Sequence, residues 1–213
     1  MAQAKEKIFE TTYGLLIYYS NEATDNQKKS FFNLINKNNI PYFILDPQDF
    51  SRTISNLVKD ITIQPEINQR NTKIKNGKLV DNNILFFSGF TREQVEDFLE
   101  TIRDEKYPRF PLKAAATEHN YDFTFGQLIE ELIKDRTVIS HVINLRKRVN
   151  ELKRLIDQSN KLKQADKLIL ETEISKAEKL LVDIEKTFDL TEFKKQINKF
   201  NKLLAEIKKK ESE

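Results

Sequence analysis

The residues best suited to hold a ligand are small polar side chains that follow short apolar runs of the chain. They form three groups, Ser20 with Asn21, Ser88 with Gly89, and Thr117 with Asn120. In open parallel sheets, ligands bind in the loops that follow neighbouring strands, so these groups are candidate ligand-binding residues. The alternative is structural: the glycine supplies a tight turn, while Thr and Asn cap helices or brace loops, as any strand-to-helix junction needs.

The third loop also contains a histidine between acidic and amide residues. His119 lies between Glu118 and Asn120, and Asp122 is close in sequence. Such a cluster suggests a general base or a metal site. However, no nucleophile accompanies it and no second histidine is near. We therefore interpret His119 as a solvated loop residue and assign no catalytic residue.

The amino-acid composition excludes several kinds of site. The chain has 213 residues with no Cys, two His and four Gly. Without Cys there are no disulfides, thiolate zinc sites or cysteine nucleophiles. So few His and Gly also exclude a histidine-rich metal centre and a glycine-rich phosphate loop. We therefore predict no metal and no cofactor, and the sequence weighs against an enzyme.

The loops that carry these polar groups belong to a predicted α/β head. Apolar runs typical of strands alternate with stretches of helical periodicity, in an order that repeats after roughly 70 residues. Three Thr-x-x-Gln capping boxes, which begin at Thr24, Thr91 and Thr124, precede helical stretches. We predict an α/β fold in which two β-α-β-α units form a small, mostly parallel sheet. The predicted strands are residues 14–19, 41–45, 84–87 and 112–116.

The second part of the chain has a different pattern. Every Pro and Gly lies at or before Gly126, and three heptad runs follow, Val138 to Ile156, Leu170 to Phe188 and Leu190 to Ile207. A 3.5-residue spacing predicts an all-α coiled-coil or helical-bundle region. The predicted domains are a head, 1–136, with a polar loop at 61–83, and a heptad-patterned region, 137–213. The helices either pack on one another within one chain or pair between chains.

A family resemblance rests on motifs between residues 83 and 134. They are the run Ile84–Thr91 with its Ser-Gly-Phe, the Leu112-Lys113-Ala114 segment, Thr117-x-x-Asn120, and a closing amphipathic helix from Phe123. This stretch resembles the bacterial domain-of-unknown-function family 3783, over roughly residues 14–136. The family usually has Pro and Trp where this chain has Glu118 and Phe123. The resemblance implies no chemistry.

Charge and periodicity together favour an interaction protein. The formal net charge is +3, acids interrupt the basic groups of the tail, and no aromatic platform accompanies them, so we do not expect nucleic-acid binding. No stretch predicts a membrane span or a signal peptide, so we expect a soluble cytoplasmic protein. We expect a non-enzymatic interaction or scaffold protein that contacts itself or a protein partner through residues 137–213. The alternative is a small-ligand-binding or regulatory head that uses the loops after its strands.

Overall fold

The computed structural model describes residues 11–62, 80–158, 162–184 and 188–212. Most of the predicted polar loop, 61–83, lies outside these ranges. The chain divides into two compact units between Ile133 and Lys134. Within the described ranges, no helix has the length and apolar character needed to cross a membrane.

The head is a four-stranded α/β layer. Its elements are β1 (Gly14–Tyr18), α1 (Asp25–Lys37), β2 (Tyr42–Ile44), α2 (Ile54–Leu57), β3 (Ile84–Ser88), α3 (Arg92–Thr101), β4 (Leu112–Ala115) and the start of α4 (Phe125–Gln158). The strand order is β2-β1-β3-β4. The outer pairs β1/β2 and β3/β4 are parallel, whereas the central pair β1/β3 is antiparallel. The predicted α/β fold with a mostly parallel sheet is therefore confirmed.

The antiparallel centre relates the two halves of the head by an approximate twofold axis. Leu16 pairs with Phe86 at the middle of β1 and β3. Thr53 and Thr124 form an isolated antiparallel bridge. The partners in these pairs are 70 and 71 positions apart, which is the spacing of the predicted repeat. Two backbone hydrogen bonds of 2.9 Å follow the same relation, from Ile54 N–H to the Phe123 carbonyl and from Phe125 N–H to the Arg52 carbonyl.

Alternating strand residues cover both faces of the sheet, because successive side chains point to opposite sides. One face carries Leu16 and Phe86 and packs against α2 and the start of α4. The other carries Leu15 and Phe87 and packs against α1 and α3. These strand side chains are essentially inaccessible to solvent. The sheet thus lies between two helical layers, and its loops are the parts of it open to ligands.

The capping boxes predicted from sequence are present. The Thr24, Thr91 and Thr124 hydroxyls each accept a hydrogen bond from the N–H three residues later, at 3.2–3.3 Å. In return, the Gln side chains accept the backbone N–H of each Thr. The segment between β2 and residue 62 forms no long helix, because Pro47–Ser51 and Val58–Asp60 are 3₁₀ turns on either side of the four-residue α2.

The helical unit consists of the later part of α4 with α5 (Gln164–Leu180) and α6 (Leu190–Ser212). Heptad residues of all three helices meet in one core, with Leu145, Leu152, Phe193 and Phe200 fully buried. α5 ends at Leu180, earlier than its heptad run, and Asp183 has a left-handed φ of 53°. Asp189 caps the start of α6, because its carboxylate accepts the Thr191 N–H at 2.7 Å.

Candidate functional site

The six residues singled out in the sequence lie at the two opposite ends of the strands, which we call the two edges of the sheet. Because β1 and β3 are antiparallel, the end of β1 lies beside the start of β3. Ser20 and Asn21 therefore lie at one edge. Ser88, Gly89, Thr117 and Asn120 lie at the other, because β3 and β4 end together. A strand of five residues separates the edges by about 16 Å. The structure therefore does not bring the six residues into one group.

At the first edge, Ser20 is part of a buried hydrogen-bond network. The Asn83 side-chain oxygen accepts the Ser20 backbone N–H at 2.8 Å and the Ser20 hydroxyl at 3.1 Å. The Asn83 amide nitrogen donates to the Arg109 carbonyl at 2.7 Å. Ser20 and Asn83 are both buried, whereas Asn21 is exposed. The network ties the loop after β1 to the segment before β4.

Tyr19 adjoins this edge and has a buried hydroxyl. That hydroxyl has no hydrogen-bond partner among the described residues. The ring packs against Phe32 and Phe110, with centroid distances of 5.9 Å. Burial, and to a smaller extent the neighbouring Tyr42, raises the pKa of the Tyr19 hydroxyl, which therefore stays protonated at neutral pH. A neutral phenol in an aromatic cluster contributes to packing.

At the second edge, Thr117 and Asn120 bond to each other. The Asn120 side-chain oxygen accepts the Thr117 N–H at 2.9 Å, and the Thr117 hydroxyl accepts the Asn120 N–H at 3.2 Å. The Asn120 amide nitrogen also donates to the Ala115 carbonyl at 2.9 Å. The Asn120 side chain thus uses its oxygen and one N–H to close the loop after β4.

Residues 11–13 lie over the rest of this edge. Ser88 is fully buried, and its hydroxyl lies 3.5 Å from the Thr11 hydroxyl, which bonds to the Tyr121 hydroxyl at 3.0 Å. Gly89 has φ +71°, and a Cβ there would lie 2.8 Å from the Thr11 carbonyl oxygen. Glycine is therefore required for the close approach of this segment.

The loop that contains His119 is exposed to solvent. His119, Glu118 and Asp122 are all exposed, and the imidazole contacts the Phe123 ring edge-on at 5.0 Å. Among the described residues, no group of three His, Asp or Glu side chains could hold a metal ion. His119 therefore has the surroundings expected of a surface loop residue.

The helical unit has two groups of polar side chains that were not singled out in the sequence. The first is internal, at Glu173, a carboxylate only 4% exposed. Lys176 and Lys199 each donate to it at 2.8 Å, and Gln196 donates to the Glu173 carbonyl at 3.2 Å. Burial raises the pKa of this carboxyl, but the hydrogen bonds from Lys176, Lys199 and Gln196 outweigh burial and lower that pKa to about 2. The network fixes the register of α5 against α6.

The second group lies on the outer face of α6, which carries a row of lysines. Lys195, Lys199 and Lys202 follow one another at spacings of four and three residues, and Lys194 flanks them. We call these four residues the lysine stripe. They line a shallow open depression together with Thr191 and Asn198, with no carboxylate in its lining. The core residues of α6 point to the opposite side, so all four lysines are exposed.

Two lysines of the stripe already contact acids of the same chain. Lys195 lies 3.4 Å from Glu192, and Lys199 bonds to Glu173. Lys194 and Lys202 make no ion pair with any carboxylate of the described residues. α4 has a comparable basic face around Lys147 and Arg154, but its depression also includes Glu151. The stripe is therefore the more uniformly cationic of these two surfaces. Its signal in the sequence was the i, i+4, i+7 spacing of like charges outside the heptad core.

Comparison with known proteins finds a family match for one segment of the chain. Residues 83–139 match the model of a domain of unknown function, DUF3783, which confirms the resemblance seen in the sequence. The match begins just before β3 and ends within α4, so it contains the second β-α-β-α copy of the head. No curated protein and no solved structure matches the chain.

Proposed function

We propose that this chain is a non-enzymatic interaction protein that binds acidic protein segments through the outer face of its heptad-patterned helical unit. The lysine stripe is the observation that carries the proposal. Four cationic side chains on one exposed helix face present donors over about 12 Å, from 1.5 Å per residue. Carboxylates at helical spacing would meet these donors in register.

The packing of the heptad residues supports a binding surface on the outside of the helical unit. The apolar seams of α4, α5 and α6 share one core within a single chain. A partner that approaches the folded unit therefore meets the outer positions rather than the seam; these are mostly polar or charged but include exposed apolar side chains such as Ile143 and Leu168. Exposed charges are suited to setting specificity and association rate, because the contacts that they make are individually weak.

The chemistry of the stripe favours an acidic protein over a nucleic acid. The aromatic residues of α6, Phe193 and Phe200, are fully buried, so no ring is exposed for base stacking. Glu192 and Glu206 flank the stripe, and they would repel a continuous phosphate backbone. An acidic helix can place its carboxylates on the lysines and leave the flanking positions neutral.

The test uses the full chain and a labelled alanine-rich helical peptide of about 20 residues, roughly 30 Å long, with Glu only at i, i+4 and i+7, which we call the acidic peptide. Fluorescence anisotropy at low ionic strength, about 20 mM, measures its binding. We expect Lys195→Glu/Lys202→Glu to weaken binding at least about fivefold, since two attractive contacts become repulsive. Lys199 is kept because it also holds Glu173.

The matched control is Lys29→Glu/Lys37→Glu, which makes the same change in net charge at two exposed positions of α1. We expect this control to bind the acidic peptide within about twofold of the unmodified chain, because only a diffuse field changes. Equal weakening by both double variants would show that net charge alone drives binding and would overturn the proposal. Absence of binding by the unmodified chain would overturn it as well.

A further inference from the structure

The head carries an acidic helix face that complements the lysine stripe. α3 turns Phe98 into the core and exposes Glu93, Glu96, Asp97 and Glu100. Within this helix and its end, Glu96 pairs with Arg92 at 3.0 Å and Glu100 with Arg103 at 2.6 Å. Exposed pairs of this kind are weak and exchange partners readily. The α3 face therefore remains available to cations of another molecule.

The two faces match in spacing as well as in sign. Glu93, Asp97 and Glu100 follow one another at i, i+4 and i+7, and Lys195, Lys199 and Lys202 have the same spacing. Each row spans about 10 Å along its helix. Two helices laid side by side in the same direction can thus place three carboxylates opposite three ammonium groups.

From this match, we propose that a second copy of the chain is a partner of the lysine stripe, docked through the acidic face of α3. This inference rests on the proposed function, because it names an occupant for the same surface. Docking joins the α3 of one copy to the α6 of the next. The two patches differ, so the contact is heterologous, and each copy offers one patch of each kind to other copies.

The strength of this contact follows from its chemistry. Exposed ion pairs contribute little individually, so three or four give a weak contact, with a dissociation constant on the order of 1 mM at low salt. Salt screens exposed charges, with a Debye length of about 10 Å at 0.1 M ionic strength, so the contact weakens as salt is added. Self-association is therefore expected to grow with protein concentration and to disappear at high salt.

The test is static light scattering of the full chain over a concentration series up to about 1 mM, the range in which such a contact forms. At about 20 mM salt we expect the apparent mass to rise steadily above 25.1 kDa, and at about 500 mM to return to it. Lys195→Glu/Lys202→Glu and Glu93→Lys/Glu100→Lys, which change the two sides of the same two opposed pairs, should each stay at the monomer mass under both conditions.

A chain with all four substitutions is the decisive control, since it exchanges the charges of the two faces and keeps the net charge of the unmodified protein. We expect it to regain at least half of the lost rise in mass. Failure of this swapped chain to associate, or association of either double variant at the unmodified level, would overturn the inference. A fixed dimer that ignores salt would also overturn it, and would indicate exchange of heptad helices.

The two proposals fail separately. If the unmodified chain stays monomeric at every concentration while the acidic peptide still binds the stripe, the self-docking inference is wrong and the proposed function stands. If the acidic peptide does not bind but the chain associates through other residues, both proposals are wrong. The two measurements use the same protein and the same double variant of α6.

Discussion

The head and the helical unit place their polar groups in opposite ways. In the head, Ser20, Asn83, Thr117 and Asn120 hydrogen-bond to the chain itself. In the helical unit, Glu173 is the comparable internal group, and the lysines of α6 face solvent. A polar residue at the end of a strand can therefore be a brace, while charges outside a heptad core can be the surface that partners meet. The two assignments can be tested by the same kind of substitution.

The largest loss of stability is expected from removing the Asn83 side chain, which braces the head. Asn83→Ala leaves the Ser20 N–H and the Arg109 carbonyl without their partner, and an unsatisfied buried group costs about 1–3 kcal/mol. We expect a loss of about 2–3 kcal/mol in the free energy of unfolding. All six tyrosines lie at or before Tyr121 and the chain has no Trp, so tyrosine fluorescence during urea unfolding follows the head.

Asn21→Ala is the matched control, because Asn21 is exposed and close to the same edge. It should change the free energy of unfolding by no more than about 0.5 kcal/mol. Asn120→Ala should lie between the two, since it breaks the bonds within the Thr117 loop. Equal stability of all three variants would contradict the bracing role and would revive a ligand role for these loops.

A smaller loss of stability is expected when Glu173 is protonated at low pH. The pKa of this carboxyl is about 2 in the folded chain, below the ordinary value of 4.5. The unfolded chain therefore takes up the proton first, so the stability that Glu173 contributes is intact above about pH 4.5 and is lost as the pH falls towards 2. We expect a loss of about 1–2 kcal/mol, because half-exposed lysines are partly screened by solvent.

Thermal unfolding followed by far-ultraviolet circular dichroism between about pH 6 and pH 2.5 measures this loss. Glu173→Gln should be less stable at neutral pH and should lose the part of the pH dependence that belongs to Glu173. Glu192→Gln, at an exposed carboxylate of the same unit, should keep the pH dependence of the unmodified chain. If both variants had the same pH profile, the Glu173 network would not be the acid-sensitive element.

Much of the fold could be predicted because local signals agree with tertiary structure. The strand at Ile84 is an apolar run, the helices begin at Thr-x-x-Gln boxes, and the heptads of the second unit meet in one core. Strand direction carries no such local signal. The antiparallel pairing of Leu16 with Phe86 depends on contacts 70 residues apart, which composition and periodicity do not encode. That one pairing separates Ser20 from Ser88.

The polar contacts could be predicted only in part for the same reason. The Thr117–Asn120 brace is local, and the sequence offered it as the alternative to a ligand site. The partner of Ser20 lies 63 residues away, and that of Glu173 is a lysine on another helix. Such pairs become visible only when the elements are placed in space. Periodic surface charge, in contrast, was present in the sequence and needed only to be separated from the heptad core.

The double variant that is expected to weaken binding most is expected to change stability least. Lys195→Glu/Lys202→Glu changes two exposed side chains, and Lys195 has 74% of its side-chain surface in solvent. Substitutions of this kind alter the free energy of unfolding by about 0.5 kcal/mol or less. Thermal unfolding of this variant should therefore match that of the unmodified chain. A large loss of stability would mean that these lysines hold the helical unit together, as Asn83 holds the head, and the contrast between the two units would then fail. Unchanged stability with lost binding would show that the lysine stripe contributes to partner contacts and little to the fold.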